Sequence, residues 1–254
     1  MIDKENGVTE AAAAATGLGE LVAKRIAPIS DWTDMGRYEH FVQFYESTEF
    51  LINSASEYIT HGLKVGETCI VAATHDHLQE LAAAMGAFQA EFDRAAADGR
   101  YVAVDADETL ESIIVDGIPD RNAFFQILSP ILDAAVERKA EVRIFGEMGG
   151  LLCLMDNFGA AVKLEGLWNE LRQMYRFSLF CAYPMHSLDK AAGDVMSTIC
   201  ADHTRVIPEE SYTSLTSADA RLRKIAHLQQ KNRRLQAEID ELELRISNRV
   251  SDAV

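Results

Sequence analysis

The residues with the most evident chemical potential follow an apolar, β-branched run in the first half of the chain. Thr68 to Thr74 is typical of a buried strand, and from Asp76 onward the apolar residues take a helical spacing. A strand therefore enters a helix through Thr74, His75, Asp76 and His77. Many junctions of this kind hold a phosphate with glycines and a lysine. This one has neither residue type, so it lacks the usual phosphate-binding groups.

Two groups of residues could instead hold a metal ion. His75 and His77 flank Asp76, and imidazoles on alternate residues of a turn can face one zinc or iron ion. Cys200, Asp202 and His203 form a second candidate set. The alternative is structural in both cases: Asp76 caps a helix between half-exposed histidines, and the second set ends a helix. We favour this alternative and predict no metal and no cofactor.

Three more strands are predicted further along the chain, each separated from the next by helical segments: Tyr101 to Val104, Val142 to Phe145 and Phe177 to Ala182. Strands that alternate with helices indicate an α/β fold with a mostly parallel sheet covered by helices.

In such sheets ligands bind at the carboxyl ends of the strands. The polar residues that follow the four predicted strands are Thr74 to His77, Asp105 to Asp107, Glu147 and Tyr183. We therefore predict a ligand site at this edge of the sheet.

Three aromatic residues have two interpretations each. His40 and Tyr45 lie beside an apolar helix, where they would contact a ligand or be satisfied groups of the core. Trp168 would belong to the core or form the apolar wall of a pocket. No Ser-His-Asp or Cys-His nucleophile can be assembled from the sequence, so we expect a protein that is not an enzyme.

The composition limits the classes of partner. The chain has 254 residues, 48% of them hydrophobic, and a formal net charge of −16, which disfavours nucleic acid as a partner. Four cysteines lie far apart without a C-x-x-C pair and are expected to be reduced core thiols. No apolar stretch reaches the length of a membrane span, and the first residues are acidic rather than basic. We expect a cytoplasmic protein.

The C-terminal segment has the spacing of a coiled coil. Residues 218 to 249 fit heptads in which isoleucine recurs at position a and leucine at position d, with Asn232 at one a position. This pattern favours a parallel two-stranded coil. We predict a homodimer through Ile225, Leu228, Asn232, Leu235, Ile239, Leu242 and Ile246. The alternative is a helix that packs back on its own domain.

The same segment is locally basic, with Arg221, Arg223, Lys224, Lys231, Arg233 and Arg234 uninterrupted by an acidic residue. Basic helices that precede a zipper bind DNA. Here the basic residues overlap the heptads, so a solvated coil surface is the favoured interpretation and DNA contact the alternative.

Seven segments in order resemble one family. They are HFVQFY, GLKVGETCIVAAT, DADETLESIIVDGIPD, VRIFGEM, LEGLWNEL, FSLFCAYP and ICADHTRVIP. Together they resemble the MEDS domain, the sensory domain of methanogen and methylotroph proteins and of DcmR, the dichloromethane-responsive regulator.

The resemblance implies a degenerate RecA/KaiC-like fold whose phosphate loop has been lost, with the Thr74–His77 junction in the position of that loop and Glu147 near the acidic residue of the ATPases. It also implies small hydrocarbon-type or one-carbon ligands, and a histidine kinase or a regulator as partner. Gly149 and Gly150 replace a larger apolar residue and are expected to loosen the loop beside Glu147.

We predict three segments: an N-terminal extension over residues 1–35, a sensory domain over residues 36–208 and a coiled-coil helix over residues 209–254. The predicted function is non-enzymatic sensing of a small organic molecule, with signalling through the dimeric coil. The alternatives are a transcriptional regulator that contacts DNA through the basic coil and a residual nucleotide-binding module.

Overall fold

The computed structural model describes residues 38–189 and 193–207, together with scattered positions between 217 and 242. By its internal contacts the chain divides into a larger unit, Ile29–Glu210, and a second unit that includes Ser211–Val254. The predicted extension over residues 1–35 lies outside the described residues.

The larger unit is built on a six-stranded sheet in which every pairing is parallel. Its strands are β1 (His40–Tyr45), β2 (Thr68–Ala73), β3 (Tyr101–Asp105), β6 (Val142–Gly146), β7 (Phe177–Pro184) and β8 (Arg205–Ile207). They lie in the order β3-β2-β6-β7-β1-β8. The predicted α/β class with a parallel, helix-covered sheet is confirmed.

Eight α-helices connect the strands in the described part of the unit. They are α1 (Thr48–Val65), α2 (His75–Ala84), α3 (Gln89–Ala97), α4 (Ala106–Ile113), α5 (Arg121–Glu137), α6 (Met148–Leu154), α7 (Phe158–Met174) and α8 (Gly193–Asp202). A two-stranded antiparallel hairpin, β4 (Ile114–Val115) and β5 (Ile118–Pro119), joins α4 to α5. Its turn places Asp116 and Gly117 at positive φ, the conformation of a tight hairpin turn.

The sheet separates two apolar cores. Helices α1, α2 and α3 cover one face, and helices α4 to α8 cover the other. Strand β1 supplies side chains to both, because successive residues of a strand point to opposite faces. Phe41 and Tyr45 pack under α1, whereas Val42 and Phe44 pack against the other core.

Local capping sets where several helices begin. Ser47, Asp105 and Asp120 each accept a hydrogen bond from a backbone N–H in the first turn of the helix that follows. Such caps satisfy donors that would otherwise lack a partner and stabilise a helix by about 1 kcal/mol each. Gly66 ends α1 in the left-handed conformation, with φ of 88°.

Of the described positions between 217 and 242, those from Leu222 onward are helical. Ile225 is half-buried, and Ile239 and Leu242 are 48% and 54% exposed. The other members of the predicted seam, Leu228, Asn232, Leu235 and Ile246, lie outside the described residues. Within the described residues, no helix combines the length and the apolar character that crossing a membrane requires.

Candidate functional site

The carboxyl ends of β2 and β6 form a topological switch point. These strands are neighbours, but α2, which follows β2, packs on one face of the sheet and α6, which follows β6, packs on the other. The two connections diverge at the strand ends, which is the position where open α/β sheets bind their ligands. The edge of the sheet at which the sequence predicts a ligand site is therefore also the edge that the topology favours.

Glu147 bridges the two sides of this switch point. It follows β6 and is 2% exposed. Its Oε1 accepts a hydrogen bond from the Thr74 backbone N–H at 2.5 Å, and its Oε2 accepts one from His77 Nδ1 at 2.7 Å. Both carboxylate oxygens are thus bound to the β2–α2 junction, so Glu147 holds the two strand ends together.

The Glu147 carboxylate shifts the pKa values of neighbouring side chains. Its hydrogen bond to His77 raises the pKa of that imidazole above the usual value, against the effect of burial. Burial raises the pKa of the Tyr45 hydroxyl well above its usual range, and the charge of Glu147 adds to this effect. The same charge contributes, after burial and Asp105, to a raised pKa of Asp107. Side chains at the carboxyl ends of β1, β2, β3 and β6 therefore share one electrostatic environment.

Two of the N–H donors that a phosphate could use at the start of α2 are already bound. Glu147 accepts from Thr74 N–H, and Thr74 Oγ1 accepts from His77 N–H at 3.3 Å. Phosphate sites at helix N-termini depend on free N–H groups and on the absence of competing negative charge. The carboxylate of Glu147 occupies the position of an anion at this junction.

His75 and His77, the first candidate metal pair, do not face one point. Both residues belong to the first turn of α2, where residues two apart point in nearly opposite directions. His77 turns inward to Glu147, while His75 is exposed and accepts a hydrogen bond from Gln79 at 2.8 Å. Asp76 is also exposed, and Thr74 rather than Asp76 caps the helix.

The other predicted ligand-binding residues are not gathered in one place. His40 and Tyr45 lie on opposite faces of β1, because an odd spacing along a strand reverses the side-chain direction. Trp168 is in the packed core, edge-on to Phe124 at 5.0 Å between ring centroids. Tyr183 donates a hydrogen bond to Glu165. Whether any of them contacts a ligand stays a prediction.

A second polar centre lies between the sheet and α7. His40 of β1, Cys181 of β7, Glu165 of α7 and His203 after α8 are all buried. One nitrogen, sulfur or oxygen atom from each lies within 4.8 Å of those from the other three. Elements that are distant in sequence thus bring together four side chains of types that can bind a metal ion. We call this group of side chains the buried centre.

Hydrogen bonds outside the buried centre orient both imidazoles. His40 Nδ1 donates to Asn169 Oδ1 at 3.0 Å, and the amide is oriented by Asn169 Nδ2, which donates to the Asp202 carbonyl at 3.1 Å. His203 Nδ1 donates to the Ile199 carbonyl at 2.6 Å. Both rings therefore turn Nε2 toward Glu165 Oε2, at 3.3 Å from His40 and 3.6 Å from His203.

The electrostatics of the buried centre disfavour a thiolate at Cys181. Burial, and then the Glu165 carboxylate, raise the pKa of Cys181 well above its usual value. Burial lowers the pKa of His203 to about 4, so its imidazole is neutral near pH 7. Burial alone would raise the pKa of Glu165, but its contacts with His40, His203 and Tyr183 lower it overall. An ionised carboxylate thus faces an uncharged imidazole and a protonated thiol.

Two members of the second candidate metal set, Cys200 and Asp202, are not part of the buried centre. Only His203 enters the buried centre, whereas Cys200 packs as a half-buried residue against the core. Sequence reasoning missed Glu165 and Cys181. A signal existed for Glu165, because helical spacing places it on the same inward stripe as Ala161, Leu164 and Trp168, where a carboxylate is out of place.

Gly149 and Gly150 do not loosen the loop beside Glu147, as had been expected, but permit close packing. A Cβ on Gly149 would overlap the Tyr183 hydroxyl, and a Cβ on Gly150 would lie 2.6 Å from the Ala182 carbonyl oxygen. Helix α6 can therefore approach β7 closely, and the Tyr183–Glu165 hydrogen bond fits beneath it.

The fold and the site define an α/β domain with an all-parallel sheet, a bridged switch point at the strand ends and a buried polar centre. The family model described as MEthanogen/methylotroph, DcmR Sensory domain (MEDS) matches residues 39–204. The chain therefore belongs to the MEDS family of sensory domains, as its sequence segments predicted. No curated protein matches the chain. The implied relation to RecA/KaiC-like proteins stays a prediction.

Proposed function

We propose that this protein is a non-enzymatic sensor of a small, uncharged organic molecule of the hydrocarbon or one-carbon type. The ligand binds at the carboxyl ends of the strands, and the protein signals through a dimeric C-terminal coil. Its membership of a family of sensory domains supports the sensory role. The observation that carries the ligand class is the position of Glu147 across the switch point.

Glu147 argues against phosphorylated ligands. A phosphate at the start of α2 would have to displace a buried carboxylate from two hydrogen bonds or lie beside its charge. Like charges at close range in a partly buried site cost several kcal/mol, and no lysine of the junction offsets this. An uncharged molecule meets no such penalty, and the Tyr45 hydroxyl near Glu147 offers it a polar contact.

Two features favour a signal carried by the C-terminal segment. The described positions from 222 to 242 are helical, and Ile239 and Leu242 expose large apolar side chains one helical turn apart. In a helix such residues form a stripe that a second copy of the same helix covers in a coiled coil. Ligand binding that favours one arrangement of the two sensory domains would then bias a histidine kinase or a regulator that reads the coil.

A thermal-shift screen of the full chain tests the ligand class. The probes are methanol, dichloromethane and formaldehyde as small organics, and Mg-ATP as the phosphorylated comparison. A ligand at about 100 times its Kd stabilises the folded state by about 2.7 kcal/mol. For a protein of this size that raises Tm by about 5–11 °C. Stabilisation by a small organic and none by Mg-ATP is the expected result; stabilisation by Mg-ATP alone contradicts the proposal.

Matched tyrosine variants locate the site. Tyr45→Phe removes one hydroxyl at the strand ends, and Tyr101→Phe removes one at the start of β3, where the ring packs on Phe92. We expect Tyr45→Phe to reduce the ligand-induced shift and Tyr101→Phe to leave it unchanged. Equal ligand-induced shifts in Tm in the wild type and in both variants would contradict a ligand site at the strand ends.

A further inference from the structure

We infer that the buried centre of His40, Glu165, Cys181 and His203 is a binding site for one divalent transition-metal ion, with Zn²⁺ as the ion that fits best. The inference does not depend on the identity of the sensed molecule. It rests on the separations of the four side chains, on the orientation of the two imidazoles and on the balance of charge.

Four of the six separations between the ligand atoms match the edges of a tetrahedron, and all six lie within 4.8 Å. Metal–ligand bonds of about 2.0–2.3 Å place tetrahedral ligands about 3.3–3.8 Å apart. His40 Nε2 lies 3.3 Å from Glu165 Oε2 and 3.4 Å from Cys181 Sγ. Glu165 Oε2 lies 3.6 Å from His203 Nε2 and 3.7 Å from Cys181 Sγ. These distances exceed those of strong charge-assisted hydrogen bonds, about 2.5–2.9 Å, and match the edges of a coordination polyhedron.

The hydrogen bonds around the buried centre set each ligand for coordination. Metal-binding histidines usually donate their other ring N–H to a backbone carbonyl or to an acceptor side chain. His203 does so to Ile199, and His40 does so to Asn169. Tyr183 binds Glu165 Oε1, which leaves Oε2 to face the other three ligands.

The Nε2 nitrogen of His203 can accept a donor proton or bind a cation. His203 Nε2 is buried without a hydrogen-bond partner, in a residue that is 7% exposed. A metal ion at the centre satisfies both imidazoles, the carboxylate and the sulfur together. Once the thiol has released its proton, Zn²⁺ with one thiolate and one carboxylate is electrically neutral, as a buried site requires.

Four protein ligands make a closed site, which indicates a structural role rather than a catalytic one. The ion would tie β1 to β7, to α7 and to the segment after α8. The nitrogen, oxygen and sulfur donor set suits Zn²⁺, and Co²⁺ occupies such sites with a visible spectrum.

The test is metal analysis of the full chain, purified without metal resin from cells supplied with zinc, followed by replacement with Co²⁺. We expect about one ion per chain, tetrahedral d–d bands of Co²⁺ and a thiolate-to-cobalt charge-transfer band. Folded wild-type protein that takes up neither Zn²⁺ nor Co²⁺ overturns the inference. So does Co²⁺ that binds without a thiolate band.

Paired cysteine variants make the assignment specific. Cys181→Ser keeps the size of the side chain and should abolish the charge-transfer band, whereas Cys200→Ser, which lies near His203 in sequence but outside the buried centre, should retain it. Should Cys181→Ser fail to fold, Asn169→Ala, which removes the hydrogen bond that supports His40 and leaves all four ligands in place, should weaken Zn²⁺ binding about 10–100-fold in competition with a chromophoric chelator. A band retained in folded Cys181→Ser, or unchanged affinity in Asn169→Ala, contradicts the proposed ligand set.

Discussion

Replacing Glu147 by glutamine should separate the effect of its charge from that of its hydrogen bonds. The amide oxygen of glutamine can still accept from Thr74 N–H, so the main loss is the charged interaction with His77. Hydrogen bonds to charged groups contribute about 1.5–3 kcal/mol and neutral ones about 0.5–1.5 kcal/mol. We therefore expect Glu147→Gln to lower the free energy of unfolding by about 1–1.5 kcal/mol below pH 6.5, or Tm by about 2–6 °C.

The effect of this substitution should depend on pH with a defined sign. Glu147 raises the pKa of His77 in the folded protein. The stabilisation is therefore fully present below the pKa of an unfolded histidine, about 6.5, and is lost as the pH rises through the higher folded pKa. The difference in Tm between the wild type and Glu147→Gln should consequently shrink as the pH rises. Neutral His77 and glutamine can still share a hydrogen bond, so the variant should remain folded at the alkaline end.

The assay is thermal and urea unfolding of the full chain, followed by tryptophan fluorescence at about pH 5.5 and about pH 9. Glu111→Gln is the matched control, because it makes the same change of charge at an exposed position of α4 and should shift Tm little. A double-mutant cycle with His77→Gln should give a coupling energy of about 1 kcal/mol at acidic pH. Additive effects within about 0.5 kcal/mol, or a Tm difference independent of pH, would refute the assignment of the Glu147–His77 pair.

Three further predictions follow from the same structure. Gly149→Ala should destabilise the protein by about 1–3 kcal/mol because its Cβ would overlap the Tyr183 hydroxyl, whereas Gly159→Ala, which meets open space in α7, should be neutral or stabilising in the same unfolding assay. We expect no Mg-ATP turnover in a phosphate-release assay; turnover that disappears in Glu147→Gln would contradict the sensor proposal. Light scattering at micromolar concentration should find a dimer for the full chain and a smaller molar mass for a chain that ends at Ser217. A monomeric full chain would contradict the proposal that the protein signals through a dimeric coil.

The strands that could be predicted from the sequence are those with clear boundaries. Thr68–Ala73 and Val142–Gly146 are mostly apolar runs that are followed by polar residues, and such runs are recognisable without tertiary information. Strand β1 was not among the strands predicted from the sequence. All six of its residues are buried, so it shows no polar alternation that would mark it as a strand. Strand β8 has three residues and exists because it pairs with β1.

The strand-end site was predictable in position and not in detail. Because parallel strands share a carboxyl edge, the order of elements alone brings Thr74 and Glu147 to the same side of the sheet. That β2 and β6 are neighbours, and that Glu147 therefore bonds to Thr74 and His77, follows from a strand order that no local pattern encodes.

What the sequence by itself determined is the family, the α/β class and the edge at which polar residues collect, since each depends on local order and on spacing along the chain. The buried centre was decided by the tertiary structure alone. His40 lies next to Cys181 because β1 pairs with β7, and Glu165 and His203 join them because α7 and the end of α8 cover that face. From the sequence alone, a histidine in an apolar strand and a glutamate in an apolar helix do not indicate that they will contact each other. Only the packing of the core brings these side chains into contact, and their contacts offset the free-energy cost of burying polar groups.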